Sequence, residues 1–284
     1  MSLWTVLIIV LILIVLYIFI VKPRNQAIFD WKPYQEQLYA HRGLHDEKKG
    51  IPENSKAAFK RAVDAGYGIE LDVQLTKDRI PVVFHDFTLE RMTGQQGKVC
   101  DYTYDELKEF RLLGTDEQIP LFSEFLEIVD GKVPFILEYK IEALDFSVCP
   151  IVNSMLNNYK GLYIIESFNP LALSWYRNNR NDVIRGQLSC HFRWKDGYKK
   201  PLYFFLTNLC MNWITRPDFI AYNHEDCNNF SFKMATAFFR AKPVAWTIRS
   251  QAQLDKAKDN FCIFIFEKFV PNNRSIVHIG EEKK

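Results

Sequence analysis

Short β-rich runs alternate with helix-length segments along most of this chain, and that rhythm restricts it to folds in which each strand is followed by a helix packed back on a parallel sheet. Strands are expected at residues 38–42, 68–73, 134–139, 163–167, 183–188, 219–222, 243–248 and 262–266. Helical stretches are expected at 55–65, 122–129, 146–158, 170–179, 202–212, 229–240 and 251–258. Eight strand–helix units are the period of a (β/α)8 TIM barrel, with a doubly wound open sheet as the alternative. Residues 86–120, after the second strand, are longer than an ordinary barrel loop and hold a short helix-like piece, "YDELKEFRLL". They are expected to form a small insertion over one edge of the barrel mouth. In "PENSKAAFKRAVDAGYG", Asn54 or Ser55 can cap a helix, and Gly66 or Gly68 can end it.

The first segment differs in kind. Leu3–Val21, "LWTVLIIVLILIVLYIFIV", carries no charge and is long enough for a helix crossing a hydrocarbon core of ~30 Å. A cleaved signal peptide would need a basic n-region and a small-residue cleavage site, and a buried core helix would be shorter. The expectation is a retained transmembrane helix over 3–21, a linker over 22–37, a barrel over 38–270 and a polar tail over 271–284. Lys22, Arg24 and Lys32 follow the apolar run, so the positive-inside rule places the C-terminal part on the cytoplasmic side of a single-pass cell-membrane protein.

Bulk charge excludes one class of partner. With 36 basic and 34 acidic residues the net charge is +2, which offers no electrostatic case for nucleic acid, so any anion site must be local. Six scattered cysteines, with no CxxC and no zinc-like spacing, read as reduced, mostly packed thiols. The oligomeric state has no signature in the sequence.

In a barrel, chemistry collects at the C-terminal ends of the strands. There the sequence places His41 and Arg42 on the first strand, Glu70 and Asp72 on the second, and Glu138 and Lys140 on the third. Alternation aims Glu70 and Asp72 to one side and Ile69, Leu71 and Val73 to the other. Acids in a strand buried on both faces need a reason. With Glu138 they make an oxygen-rich set suited to Mg²⁺ or Ca²⁺, the alternative being a salt-bridge cluster with Arg42 and Lys140. His85 ends the apolar run "IPVVFHD" and, opposite His41, can complete an acid/base pair around a metal-held phosphodiester. Arg42 and Lys140 would then hold the phosphate oxygens.

The motifs "HRG" (41–43), "PENS" (52–55), "ELDV" (70–73), "TKD" (76–78), "VVFHD" (82–86), "RMTG" (91–94), "IPLFSEFL" (119–126) and "ILEYK" (136–140) resemble the ordered signature of the glycerophosphodiester phosphodiesterase family. The resemblance is densest over 38–140; downstream, "VAWTI" (244–248) is similar to the family's late strand. It implies general acid/base roles for His41 and His85, divalent-metal ligation by Glu70, Asp72 and Glu138, and phosphate contacts from Arg42 and Lys140. It also implies hydrolysis of glycerophosphodiesters to glycerol 3-phosphate and an alcohol, while the apolar segment 3–21 motivates a variant whose substrate is a lysophospholipid or another glycerol-phosphate lipid headgroup held at the bilayer. In the implied route a neighbouring glycerol hydroxyl attacks phosphorus and water opens the resulting cyclic phosphate. Trp246 and Gln187 are candidates for the pocket around glycerol or the leaving group. Two departures stand out: Ser55 where threonine is commoner, and Glu267–Lys268 where many members have a Thr-Asp pair. The remaining alternatives are a phospholipase D-type enzyme acting on lysophospholipid, a non-catalytic glycerol-phosphate-binding membrane protein and, with a single span to support it, a transport component.

Overall fold

Eight parallel strands close on themselves in the computed structural model, which describes residues 2–24, 29–142, 144–193, 197 and 200–272. In chain order, an N-terminal helix α1 (Leu3–Val21) and a one-turn helix α2 (Lys32–Gln35) precede β1 (Leu38–His41), α3 (Lys56–Asp64), β2 (Gly68–Leu75) and a short β3 (Pro81–Val83). The one-turn helices α4 (Glu90–Thr93) and α5 (Tyr104–Leu107) then lead to α6 (Phe122–Val129), β4 (Phe135–Tyr139), α7 (Val148–Leu156), β5 (Tyr163–Ser167) and α8 (Pro170–Asn179). The last part runs β6 (Arg185–Ser189), α9 (Pro201–Thr207), α10 (Asn212–Thr215), β7 (Phe219–Asn223), α11 (Phe230–Lys233), β8 (Lys242–Ile248), α12 (Gln251–Ala257) and β9 (Ile263–Phe266). Pairing of β1 with both β2 and β9 closes the barrel. The open-sheet alternative is thereby excluded, and every expected strand is present with ends displaced by at most two residues.

Three local differences have physical causes. The apolar run before His85 forms β3, an antiparallel hairpin partner of β2 (Val73 opposite Val83), which starts the insertion. The insertion carries its own core of Val82, Phe84, Leu89, Met92, Val99, Leu107, Leu112 and Ile119. The helix expected over 202–212 is broken into α9 and α10 because Leu209 adopts φ +54°, left-handed backbone that no helix continues through. After α11 the chain makes a wide π-type turn, Met234–Phe238, rather than a longer α-helix. Ser55 is the cap of α3, its hydroxyl accepting from the Ala58 N–H at 3.1 Å. Asn54 takes another role, described below.

Strand alternation writes a vertical gradient into the lumen. Tyr39, Ile136, Ile164, Val244, Ile263 and Ile265 fill its lower part, around the N-terminal ends of the strands. One or two inward positions further along the same strands lie His41, Glu138, Glu166, Trp246 and Glu267. Gly68 is required where β2 passes Tyr39, since a Cβ there would come within 2.7 Å of the Tyr39 ring.

The stretch before β1 is docked against the barrel. Trp31 and Tyr34, both buried, join the luminal core from below, and the Tyr39 hydroxyl donates to the Tyr34 carbonyl. Arg24 donates to both oxygens of the fully buried Asp218, at 2.6 and 2.5 Å, and to Asn181. Arg24→Ala would leave that buried carboxylate without its hydrogen-bonded cation and with only the neighbouring Arg185 to offset it, so denaturant unfolding of the detergent-solubilised chain should show a loss of about 3 kcal/mol. A loss below about 1 kcal/mol, the range of a surface ion pair, would mean that the segment is not anchored this way.

Candidate active site

His41 ends β1 opposite Glu70 of β2, and Asp72 of β2 lies opposite Glu138 of β4, which in turn lies opposite Glu166 of β5. Closure of the barrel thus lines up four inward carboxylates, all 6% exposed or less. Oxygens of Glu70, Asp72 and Glu138 lie within 4.8 Å of one another. Burial, and then the charges of Asp72 and Glu138, push the Glu70 carboxyl well above the usual range; burial and Asp72 also raise Glu138. Asp72 is held far below it, because Lys140, His85, Arg42 and the Asn54 amide together outweigh its desolvation.

Cations and amides frame this cluster. The Lys140 ammonium sits 2.7 Å from Glu138 and 3.1 Å from Asp72. Arg42 leaves the strand at φ +56°, which turns its N–H onto Glu70 (3.1 Å) and its guanidinium towards Glu53 (2.7 Å) and Asp72 (3.6 Å). Gly43 follows at φ +80°, where a Cβ would strike Ala58 of α3 at 2.9 Å, so "HRG" can carry no larger residue there without a shift. Asn54, from "PENS", donates to Asp72 at 2.9 Å.

Each histidine is oriented by its own carboxylate. His41 Nδ1 lies 2.7 Å from Glu267, leaving Nε2 facing Glu70 at 3.8 Å. Burial and the neighbouring Arg42 lower its pKa to about 4. Despite its own burial, Glu267 is held low by His41, His45 and Arg249 around it. The position marked as a departure in the last strand therefore supports a candidate catalytic residue. On the opposite side His85 Nδ1 lies 2.6 Å from Asp86, and Arg91 bridges Asp86 to Glu53.

The structure brings His41, Arg42, Glu70, Asp72, His85, Glu138 and Lys140 to one mouth. Trp246 lies near the C-terminal end of β8, edge-on to Phe168 at 5.6 Å, with its buried indole N–H unpartnered among the described residues. Gln187 spends its amide N–H groups on the Ser167, Phe168 and Leu188 carbonyls, a structural arrangement that leaves its oxygen unpaired among the described residues. Sequence reasoning missed Glu166, although an acid inside the apolar run "YIIES" carried the same signal as Glu70. It missed the Asn54–Asp72 and His41–Glu267 pairings because nothing local announces them.

These residues fit a hard divalent cation. The donors are all carboxylate oxygens, and the buried Asp72 Oδ1 accepts no hydrogen bond among the described residues, although Lys140 neutralises it. The histidines' own partners leave them outside that donor set.

The profile of the glycerophosphoryl diester phosphodiesterase family matches residues 41–259, spanning all of this constellation except Glu267. The chain belongs to that family. Among curated glycerophosphodiester phosphodiesterases, that of Caldanaerobacter subterraneus is 38% identical over 148 residues, covering 48% of this chain and 59% of that protein. The human glycerophosphodiester phosphodiesterase 1 is 29% identical over 179 residues, or 58% of this chain and 50% of that one. These alignments span about half the length of the curated relatives. Solved structures share the fold: a phosphodiesterase of Oleispira antarctica in complex with the product sn-glycerol-3-phosphate gives a TM-score of 0.65 at 23% identity, covering 81% of this chain and 92% of that one. A Thermotoga maritima glycerophosphodiester phosphodiesterase gives 0.61 at 23% identity, covering 81% and 94%.

Asn54→Gly removes the amide that orients Asp72 without adding strain to the left-handed backbone at φ +53°. Calorimetric titration with Mg²⁺ or Ca²⁺ should show affinity lowered about 10–100-fold. Unchanged affinity would dissociate Asp72 from any metal site.

Proposed function

We propose that this chain is a membrane-anchored, metal-dependent glycerophosphodiester phosphodiesterase that releases glycerol 3-phosphate and an alcohol. The observation that supports it best is the pair of histidines, each with Nδ1 on a carboxylate, flanking a buried three-carboxylate cluster.

With Nδ1 engaged by Glu267, His41 has Nε2 as its reacting nitrogen; Asp86 leaves His85 in the same position. Because burial keeps His41 neutral near pH 7, it takes the proton of the glycerol hydroxyl as that oxygen bonds to phosphorus. His85 gives a proton to the departing alcohol oxygen, and the same groups, roles reversed, serve the water that opens the cyclic phosphate. Arg42 and Lys140 bind the phosphate oxygens, and Trp246 forms an apolar wall beside them at the mouth. One divalent cation, Mg²⁺ or Ca²⁺, held by Glu70, Asp72 and Glu138, supplies Lewis-acid stabilisation of the phosphate charge. A purely binding role is disfavoured because no member of the acid/base or carboxylate set is missing.

The anchor is α1, uncharged over 19 residues with mean hydropathy 3.3, and the basic residues after it favour a cytoplasmic barrel. A lysophospholipid presents the same phosphodiester with an added acyl chain, so a membrane-held enzyme can use either form.

The detergent-solubilised full chain should release glycerol 3-phosphate from glycerophosphocholine, and EDTA should stop it. His41→Ala and His85→Ala should each slow release by about 10²- to 10⁴-fold with unchanged melting temperature. Folded variants that keep the parent rate would remove the two-histidine mechanism. Full turnover in EDTA would remove the metal.

A further inference from the structure

Large apolar side chains are exposed in two places that meet. One is α1, where Leu3, Trp4 and the aliphatic residues from Val6 to Leu16 are 41–75% exposed. The other is the α9 face with the start of α11, where Leu202, Phe204, Phe205 and Phe230 are 47–68% exposed. The Tyr17 ring stacks on Phe230 with centroids 6.0 Å apart, and its hydroxyl is 2.8 Å from the Ser231 hydroxyl. Cys210, whose N–H donates to the Phe205 carbonyl at the end of α9, lies beside the same tyrosine. A single apolar surface therefore runs from α1 across Phe230 to α9.

The direction of α1 follows from its contacts. Its last residues are tied to the segment that leads into β7: Asn212 donates to the Val21 carbonyl, Arg216 to those of Phe19 and Lys22, and the Arg24 N–H to that of Pro217. One turn earlier, Tyr17 touches Phe230 and Ser231, which follow β7. Traced back from Lys22, the helix thus rises in the same sense as the strands. Its remaining residues, Leu3 to Leu16, continue roughly 20 Å beyond Tyr17, at 1.5 Å per residue, towards the side of the C-terminal strand ends. Those ends hold the candidate active site.

Helix α9 lies at the same level. Ser189, the last residue of β6, donates to the Leu206 carbonyl, and the Tyr222 hydroxyl, near the end of β7, donates to that of Thr207. Successive ring contacts, Trp246–Phe168, Phe168–Phe192 and Phe192–Tyr203, connect the lumen to α9 at 5.6, 5.9 and 5.3 Å.

We propose that the mouth face of the barrel docks on a phospholipid bilayer, with Leu202, Phe204, Phe205 and Phe230 entering its interfacial layer beside α1, so that the site opens onto the headgroup plane. This rests on the reading of α1 as a membrane span. The barrel is then held mouth-down on the membrane rather than swinging on a tether, and whatever covers α1 covers α9 as well. Substrate carried in the lipid surface then has direct access to the mouth, and the aromatic path gives an acyl chain an apolar route alongside it.

The test uses the full chain in vesicles of phosphatidylcholine and phosphatidylglycerol, with the photo-crosslinker p-benzoylphenylalanine placed in turn at Phe204, Phe230, Leu11 and Lys132. Lys132 is exposed and lies at the opposite end of the barrel, just before β4. After irradiation, mass spectrometry should find lipid adducts at 204, 230 and 11 and none at 132. Adducts at 11 with none at 204 and 230 would overturn the docking and leave the span intact. No adducts at any position, in a chain that fails to float with the vesicles, would overturn the span and the docking together.

Discussion

Four carboxylates, Glu70, Asp72, Glu138 and Glu166, occupy neighbouring inward positions on three adjacent strands with almost no access to water. Like charges that close repel each other and lose hydration, so the array can exist only if cations and amides are built around it. Lys140 stands between Asp72 and Glu138, Arg42 reaches Glu70 through its backbone and Asp72 Oδ2 through its side chain, and Asn54 donates to that same Oδ2. These compensating groups come from three separate chain segments. Any displacement of β1, of the loop before α3 or of β4 would strand a charge, and this couples barrel closure to the electrostatics of the mouth.

The lumen below that array is apolar and filled. Tyr39, Ile136, Ile164, Phe219 and Ile265 pack it, and Trp31 and Tyr34 seal it from underneath. Water therefore meets the carboxylates from the mouth side. The seal belongs to the same N-terminal stretch that Arg24 ties to Asp218, so the segment that closes the barrel also sets the course of α1.

The loop after β9 gives a second example of a polar group used twice. Glu267 stands where many relatives carry a Thr-Asp pair, yet its carboxylate both orients His41 and binds Arg249. A cavity of about 440 Å³ opens beside it, lined in part by His45, Arg61, Lys268 and Phe269. The family signature at the front of the chain and the departure at its end thus converge on one imidazole.

Sequence alone determined whatever depends on neighbours two to four residues apart. The eight strands, most of the helices, the shared side of Glu70 and Asp72 and the apolar length of α1 are all local periodicities, and the ordered motifs of residues 41–140 fall in the same class. The break at Leu209 escaped because "LTNLCMN" has ordinary helical composition and only packing selects the left-handed turn. Only the tertiary structure decided that Glu267 meets His41 across 226 residues, that Asn54 serves Asp72 rather than a helix end, that Glu166 joins the carboxylates, and that α1 rises on the mouth side. Such contacts are products of ring closure. Which residues face each other across a barrel depends on strand order and register, and those are settled by every strand at once.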